Sequence, residues 1–372
     1  MGAVASVSFV LVLSEFLPVA LLPALSDSLG VATGTAGLLV VVPGLAAAVA
    51  APLLTVASGR LDRRHVLLVL AALITLSDAL AAVASDMAVM VAARLLLGLG
   101  VGGFWAMGAG VGDRLVPPAA AGRATSLITA GISAGTVISL PLGALVGHLS
   151  GWRTAFLVAA VAALLSLVLL GTVLPALRPT EAVRLTTLGK ALRTSPVVYA
   201  LLATAFVFLG HFSAYTYVTP YLRQHAHFSP GAVTAVLLGY GLASLAGNLL
   251  AGAVSGRSLR AATVVTAALL AAAVLLLTVL TGAVGVVLFV LLWGAAFGAV
   301  PLIAQVRVMR AFPQAYDAAL ALLVTASQTF LATGSLLGGL LTDRHGPTAA
   351  FFSGALAVLV SALIPLRLPA GR

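Results

Sequence analysis

Four ionisable residues stand inside stretches that are otherwise apolar: Glu15, in the run SEFLPVALLP, then Asp78, Arg94 and His211. A charge near the centre of a bilayer costs at least ~2.5 kcal/mol, so such a residue marks a functional position by default. A carboxyl at that depth can take up and release a proton. Burial favours its neutral form and a nearby cation its ionised form, so its occupancy follows its surroundings. Glu15 reads as the proton acceptor, with Arg94 adjusting its proton affinity. Asp78 precedes the Ser85-Asp86 turn and Arg94 follows it by similar distances, so the two share a depth on adjoining helices. They belong either to the proton path or to a structural pair. His211 reads as a second proton site, a hydrogen-bonding partner for substrate, or a packed neutral histidine.

The remaining polar and aromatic groups within apolar stretches are Phe16, Trp105, Tyr215, Tyr217, Asn248, Gln305 and Gln328. Aromatic faces and amides lining a cavity suit a planar, polar, uncharged solute. Two motifs compete with this reading. Gly98, Gly100 and Gly103 spell G-x-G-x-x-G, but without the strand and helix N-terminus that a nucleotide site needs. Gly131-Ile132-Ser133-Ala134-Gly135 spells G-x-S-x-G, which would make Ser133 a nucleophile with His211 as base. The same glycines, with Gly143 and Gly147, also form a small-residue face for close helix packing. The chain has no cysteine, which removes thiolate chemistry and disulfides. It carries no Walker A, HExxH or EF-hand pattern, and no cofactor or metal is expected.

The elements that must hold these residues are membrane helices. Of 372 residues, 62% are hydrophobic and 8% charged, against roughly 25% charged in soluble domains. Runs of about 20 apolar residues recur, each able to cross ~30 Å of hydrocarbon. The sequence predicts an all-α polytopic protein with twelve spans. The first six cover about 5–25, 35–57, 65–84, 87–111, 124–147 and 153–174, and the second six about 196–219, 230–254, 261–281, 284–306, 319–341 and 347–366, with ends good to about four residues. A polar linker over 176–194 separates an N-terminal bundle, 1–175, from a C-terminal bundle, 195–372. Fifteen of the nineteen Lys and Arg fall on the side of the two termini, against Arg153, Arg223 and Arg344 opposite and Arg94 within a span. That bias predicts both termini in the cytoplasm. The net charge of +10 then reports topology and some attraction to lipid, and no nucleic acid is needed to explain it. The first span has no basic flank and too long an apolar run for a cleavable signal peptide.

An internal repeat appears at an offset of 197. It aligns Ser58-Gly59-Arg60 with Ser255-Gly256-Arg257 and Pro23 with Pro220, and sets Trp105 near Phe297 and Gly298. Two six-helix units in the same orientation are the pattern of secondary transporters, which bind substrate near the midplane between their halves.

The loop Gly59-Arg60-Leu61-Asp62-Arg63-Arg64 resembles the signature G-x-L-a-D-r-x-G-r-[RK] of the major facilitator superfamily, departing from it at the later glycine. The resemblance implies a latch in which Asp62 faces the start of the eleventh span and Arg123 joins the charge relay. Arg94 with Gly98 resembles a helix-4 motif tied to proton coupling. Gly131, Gly135, Pro141 and Gly143 resemble the helix-5 antiporter motif, with the proline displaced. The chain is thus similar to the twelve-helix drug:proton antiporter branch. SEFLPVALLP, GRLDRRHVLL, GGFWAM and RLVP are most similar to purine ribonucleoside efflux pumps, and also resemble arabinose and sugar efflux permeases and chloramphenicol exporters. This implies a monomeric, proton-coupled exporter of a small organic solute in a bacterial inner membrane. A uniporter or importer of the same fold and an intramembrane serine hydrolase are the alternatives.

Overall fold

A computed structural model describes residues 1–57, 61–107, 121–177, 185–254, 258–280 and 282–364. Gly59, Arg60 and the Ser255-Gly256-Arg257 repeat lie outside the described residues, as does the side chain of Arg123. In hydrocarbon every backbone polar group must be satisfied within its own segment, so spans form as helices. The described residues form fifteen α-helices: α1 Gly2–Leu29, α2 Thr33–Ala36, α3 Leu38–Ala57, α4 Arg63–Ala82, α5 Met87–Met107, α6 Ala121–Ser150, α7 Trp152–Val173, α8 Leu185–Leu192, α9 Ser195–Tyr215, α10 Val218–Gln224, α11 Pro230–Val254, α12 Leu259–Leu276, α13 Ala283–Ala311, α14 Tyr316–His345 and α15 Pro347–Leu363. Eleven stretches are long and apolar enough to cross a membrane, with α2–α3 and α9–α10 each counting once. The apolar α15, 17 residues long, is the twelfth.

Several helices outrun their predicted spans. The first reaches Leu29 and α14 runs from Tyr316 to His345, because a charged residue such as Asp27 or Asp343 ends the apolar run without ending the helix. The seventh span breaks in two at Thr216–Tyr217. Pro220 follows by four residues, and its ring clashes with the carbonyl four positions back in a continuous helix. The linker, predicted as polar chain, contains the short helix α8. It buries Leu188 and Ala191, and Leu188 packs on Ala318 and Ala321 of α14.

Close helix crossings repeat between the two halves. In the first half Gly98 and Gly102 of α5 lie against Pro43 and Ala47 of α3; in the second, Gly294 and Gly298 of α13 lie against Tyr240 and Ser244 of α11. The glycines shift by 196 (98 to 294, 102 to 298) and their partners by 197 (43 to 240, 47 to 244). Likewise Gly131 and Gly135 of α6 meet Ala5 and Phe9 of α1, while Gly334 and Gly338 of α14 meet Leu209 and Ser213 of α9. The turns repeat too: Gly151 between α6 and α7 and Gly346 between α14 and α15 have φ of 84° and 83°, a conformation that glycine adopts at little cost. This register carries Trp105 to Pro301, one turn past the Phe297–Gly298 position expected from the sequence. The G-x-G-x-x-G glycines are packing residues: Gly100 and Gly103 face Ile74 and Leu70 of α4.

The two six-helix bundles meet along α3 and α14. Gly34, in the short helix ahead of α3, abuts Gly339; Gly44 abuts Gln328 and Ala332; and Val56 packs with Ala318 and Ala321. A second seam joins α6 to α11, where Gly241 lies on the backbone of Val137. A β-carbon on Gly298 would stand 1.9 Å from the Ser244 carbonyl oxygen. Overfilling a packed crossing costs about 1–3 kcal/mol. Gly298→Val is expected to lower the melting temperature of the detergent-solubilised protein, whereas Gly171→Ala, whose nearest foreign atom is 3.7 Å away, leaves it the same or higher.

Candidate functional site

Glu15 sits midway along α1, 5% exposed. Its partner comes from the other bundle: Gln328 of α14 donates through Nε2 to Glu15 Oε1 at 2.9 Å. The Trp105 indole of α5 lies beside the same carboxyl. Gln328 reaches Glu15 because Gly44 of α3 lets α14 approach to van der Waals contact at that level. Its own Oε1 is buried with no partner among the described residues.

Next to Glu15 on the same helix is a fully buried cluster within the first bundle. Arg94 Nη2 lies 3.3 Å from Asp78 Oδ1, and Nη1 donates to the Ser14 carbonyl at 2.9 Å. Ser14 donates its hydroxyl to the other Asp78 oxygen, and the guanidinium stands 5.1 Å from the Phe156 ring centre. The common depth inferred for Asp78 and Arg94 is therefore an actual contact. Arg94 meets α1 at the Ser14 backbone, one residue from Glu15, and its charge is taken up by Asp78. Ser14 was not singled out from the sequence; its place beside Glu15, on the helix facing Asp78, was the available signal.

Across the seam is an aromatic cluster in the second bundle. Phe16 of α1 stacks on Phe212 of α9 at 6.0 Å and meets Tyr215 edge-on, also at 6.0 Å. His211 is fully buried between Phe297, at 3.4 Å and 2°, and Tyr215, at 4.8 Å and 26°. Trp293 of α13 donates to His211 Nδ1 at 2.9 Å, and Tyr240 of α11 packs on Tyr215 and Trp293. Trp293, Phe297, Phe212 and Tyr240 escaped the sequence reading of the site. The signal was there in the four-residue spacings His211–Tyr215 and Trp293–Phe297, which put each pair on one helix face.

Other candidates fall elsewhere. Tyr217 does not join the aromatic cluster: its hydroxyl donates to the Ser335 carbonyl at 2.9 Å and lies 3.5 Å from that of Gly34. With the Gly34 N–H donating to Asp343 at 2.7 Å, it closes the seam at the end away from the chain termini. The helix break at Thr216–Tyr217 turns it there. Gln305 is exposed, and Asn248 is half-buried on α11 one turn beyond Ser244. Among the described residues, Asp62 bonds within its own bundle and not to the eleventh span. It caps α4, accepting from Arg64 N at 2.8 Å and from Leu177 N at 2.9 Å, while Arg64 Nη2 donates to the Gly171 carbonyl at 2.8 Å. Those backbone donors, Leu177 foremost, hold its carboxyl below the usual carboxylate range. Gly131, Gly135 and Gly143 line the crossing of α6 on α1, and Pro141 lies within α6. Ser133 is half-buried on that helix, and the Nδ1 of its supposed base is engaged by Trp293.

Twelve spans in two repeated bundles, with a buried polar centre between them, define a secondary transporter. The family model of the Major Facilitator Superfamily matches residues 4–328 and again 201–370, and the chain belongs to that superfamily. It is a multi-pass membrane transporter for a small-molecule substrate, not an enzyme.

Among its relatives, the purine ribonucleoside efflux pump NepI of Shigella sonnei is 34% identical over 369 residues, covering 98% of this chain and 93% of that protein. NepI of Escherichia coli K12 is 33% identical over 368 residues, with the same coverage. The transcription regulatory protein OpdE of Pseudomonas aeruginosa is 36% identical over 369 residues, covering 98% of this chain and 92% of that one. Among solved structures, a D-xylose–proton symporter superposes with a TM-score of 0.77 at 18% identity, covering 98% of this chain and 96% of that one. The human organic anion transporter MFSD10 superposes at 0.73 with 21% identity over 98% of both chains. These two likenesses are of fold.

Removing one partner of a buried ion pair strands the other charge, at a cost of about 3–5 kcal/mol. Arg94→Ala should therefore melt well below the parent protein. Asp78→Leu with Arg94→Met removes both charges and should regain most of the loss. Melting curves of Arg94→Ala and of the double check this; a double variant as unstable as Arg94→Ala would contradict a structural pair.

Proposed function

We propose that the chain exports a small neutral organic solute, purine ribonucleosides or their bases first, in exchange for protons. The observation that carries this reading is the hydrogen bond from Gln328 to Glu15. It joins a buried, ionisable group of one bundle to a neutral amide of the other, beside an aromatic cluster. Hydrogen bonds to an ionised acceptor are roughly twice as strong as neutral ones. An ionised Glu15 thus ties the bundles together, and its protonation loosens the tie.

In this reading both termini lie in the cytoplasm of a bacterial cell, beneath the inner membrane. The bundles run over 1–175 and 195–372, joined by the linker 176–194, and the protein works as a monomer. Outward opening parts the Gly34–Asp343 and Gly34–Tyr217 contacts and exposes Glu15 to the more acidic side. Protonation there favours substrate release and return to the inward state; deprotonation inside allows reloading. The Gly59–Arg64 loop and Arg123 contribute to an inner latch, and lipid surrounds the bundles. The ring faces of Phe16, Phe212 and Tyr215 favour a nucleobase over a sugar, since base–aromatic stacking contributes ~1–3 kcal/mol per base. The NepI relatives, named for purine ribonucleoside efflux, support the same choice.

In everted membrane vesicles with an acid interior, adding inosine or guanosine should release protons. Glu15→Gln is expected to cut that release at least ten-fold while the protein still reaches the membrane. Proton release by Glu15→Gln equal to the parent's would remove Glu15 as the carrier. No release by the parent protein with nucleosides, pentoses or chloramphenicol would remove antiport.

A further inference from the structure

The aromatic cluster leaves polar atoms without partners, and their chemistry specifies a ligand. An indole N–H can only donate, so the bond from Trp293 Nε1 to His211 Nδ1 requires an unprotonated Nδ1. A neutral imidazole in that state carries its proton on Nε2. That Nε2 is buried and has no partner among the described residues. The hydroxyl of Tyr240, able to donate or accept, is also buried without a partner among the described residues. Its ring lies 5.8 Å from Trp293 and 5.2 Å from Tyr215, and the His211 ring meets the same two at 5.6 and 4.8 Å, so both orphaned groups border the same two rings. Tyr240 is brought there by the crossing of α11 and α13, where Gly294 admits the Tyr240 backbone. Buried polar groups are ordinarily hydrogen-bonded, and an exception asks for an explanation.

We infer that His211 and Tyr240 read the hydrogen-bonding edge of a neutral heteroaromatic base, and that Trp293 is the positioning residue that keeps His211 as an Nε2–H donor. This deepens, and rests on, the reading of the substrate as a nucleoside or nucleobase. A purine matches the set: an unprotonated ring nitrogen accepts from His211 Nε2–H, a second edge atom meets the Tyr240 hydroxyl, and its face lies against the surrounding rings. A pentose has hydroxyls for the two polar atoms but no face for the rings. His211 on this account serves recognition, and proton carriage is left to Glu15.

The test is equilibrium binding to the purified full-length protein in nanodiscs. The ligands are inosine, its 1-, 3- and 7-deaza analogues, and ribose. The parent protein should bind inosine and lose at least ten-fold for one of the deaza analogues, the one missing the acceptor that meets His211. His211→Phe keeps a stacked ring, and should weaken inosine at least ten-fold and erase its advantage over that analogue. His211→Gln restores an N–H donor and should recover part of both. Tyr240→Phe and Trp293→Phe keep ring and packing, and each should weaken inosine several-fold; in Trp293→Phe the deaza discrimination should narrow. An equal loss for inosine and every deaza analogue in His211→Phe would mean packing alone and would overturn the inference. So would affinities within two-fold of the parent in both His211→Phe and Tyr240→Phe, or no deaza discrimination by the parent; in these cases nucleoside export stands. If His211→Phe fails to fold, the Tyr240→Phe and Trp293→Phe affinities decide. Should the parent bind no nucleoside at all, the substrate reading falls and takes this inference with it.

Discussion

One hydrogen bond ties the two bundles at their polar centre: the Gln328 amide of α14 donating to the Glu15 carboxyl of α1. The partners are 313 residues apart in sequence, and both are nearly withdrawn from solvent. In the proposed mechanism, charge on Glu15 is thereby coupled to the fit between the bundles. Neutralising it weakens a bond that spans the seam, and the seam is what a rocking transporter must open. The surrounding structure serves this contact. Gly44 admits α14, and the ion pair of Asp78 with Arg94 satisfies the buried charges beside it, holding the Ser14 backbone through Arg94.

The repeat explains how such a contact can be both snug and movable. Within each bundle, glycines set backbone against backbone at matching positions, α5 on α3 and α13 on α11, α6 on α1 and α14 on α9. With no hydrophobic force between helices in lipid, such close approach supplies the attraction. The bundles are stiff because these crossings admit no added carbon. Between bundles, the described seam relies on fewer contacts: Gly34 with Gly339 and Asp343, Gly44 with Gln328, Gly241 with Val137, and Val56 with Ala318. Rigid halves with a narrower joint suit the rocking of the proposed mechanism.

Depth was legible in the sequence and rotation was not. Apolar run lengths and turn residues located the helices, and counting residues from the Ser85-Asp86 turn brought Asp78 level with Arg94, which the structure pairs. The offset near 197 foretold the register of the α5–α3 and α13–α11 crossings, while the α6–α1 and α14–α9 crossings repeat at 203 (131 to 334) and 204 (5 to 209). Which side of a helix faces its neighbour was harder to see, because lipid-facing and protein-facing surfaces are both apolar and the amphipathic signal of a soluble helix is lost. Residue type alone points Gln305 and Tyr217 to the cavity, yet one is exposed and the other closes the far end of the seam. Glu15's partner was invisible for a different reason: α1 and α14 belong to different repeats, and no spacing rule links them. Asp62 was expected against the eleventh span, but two backbone N–H groups nearer in the chain satisfy it.

The most direct measurement uses the absence of cysteine. Spin labels on Ala57→Cys and Gln314→Cys would report the separation of α3 and α14 at the end that carries the termini, by pulsed electron resonance in nanodiscs at pH 8 and pH 5.5. If protonation of Glu15 loosens the tie between the bundles and favours inward opening, the acid sample gains a population several ångströms longer, and Glu15→Gln shows that population at both pH values. A distance distribution that ignores pH in the parent protein, or one that still follows pH in Glu15→Gln, would contradict the coupling of proton to seam through Glu15.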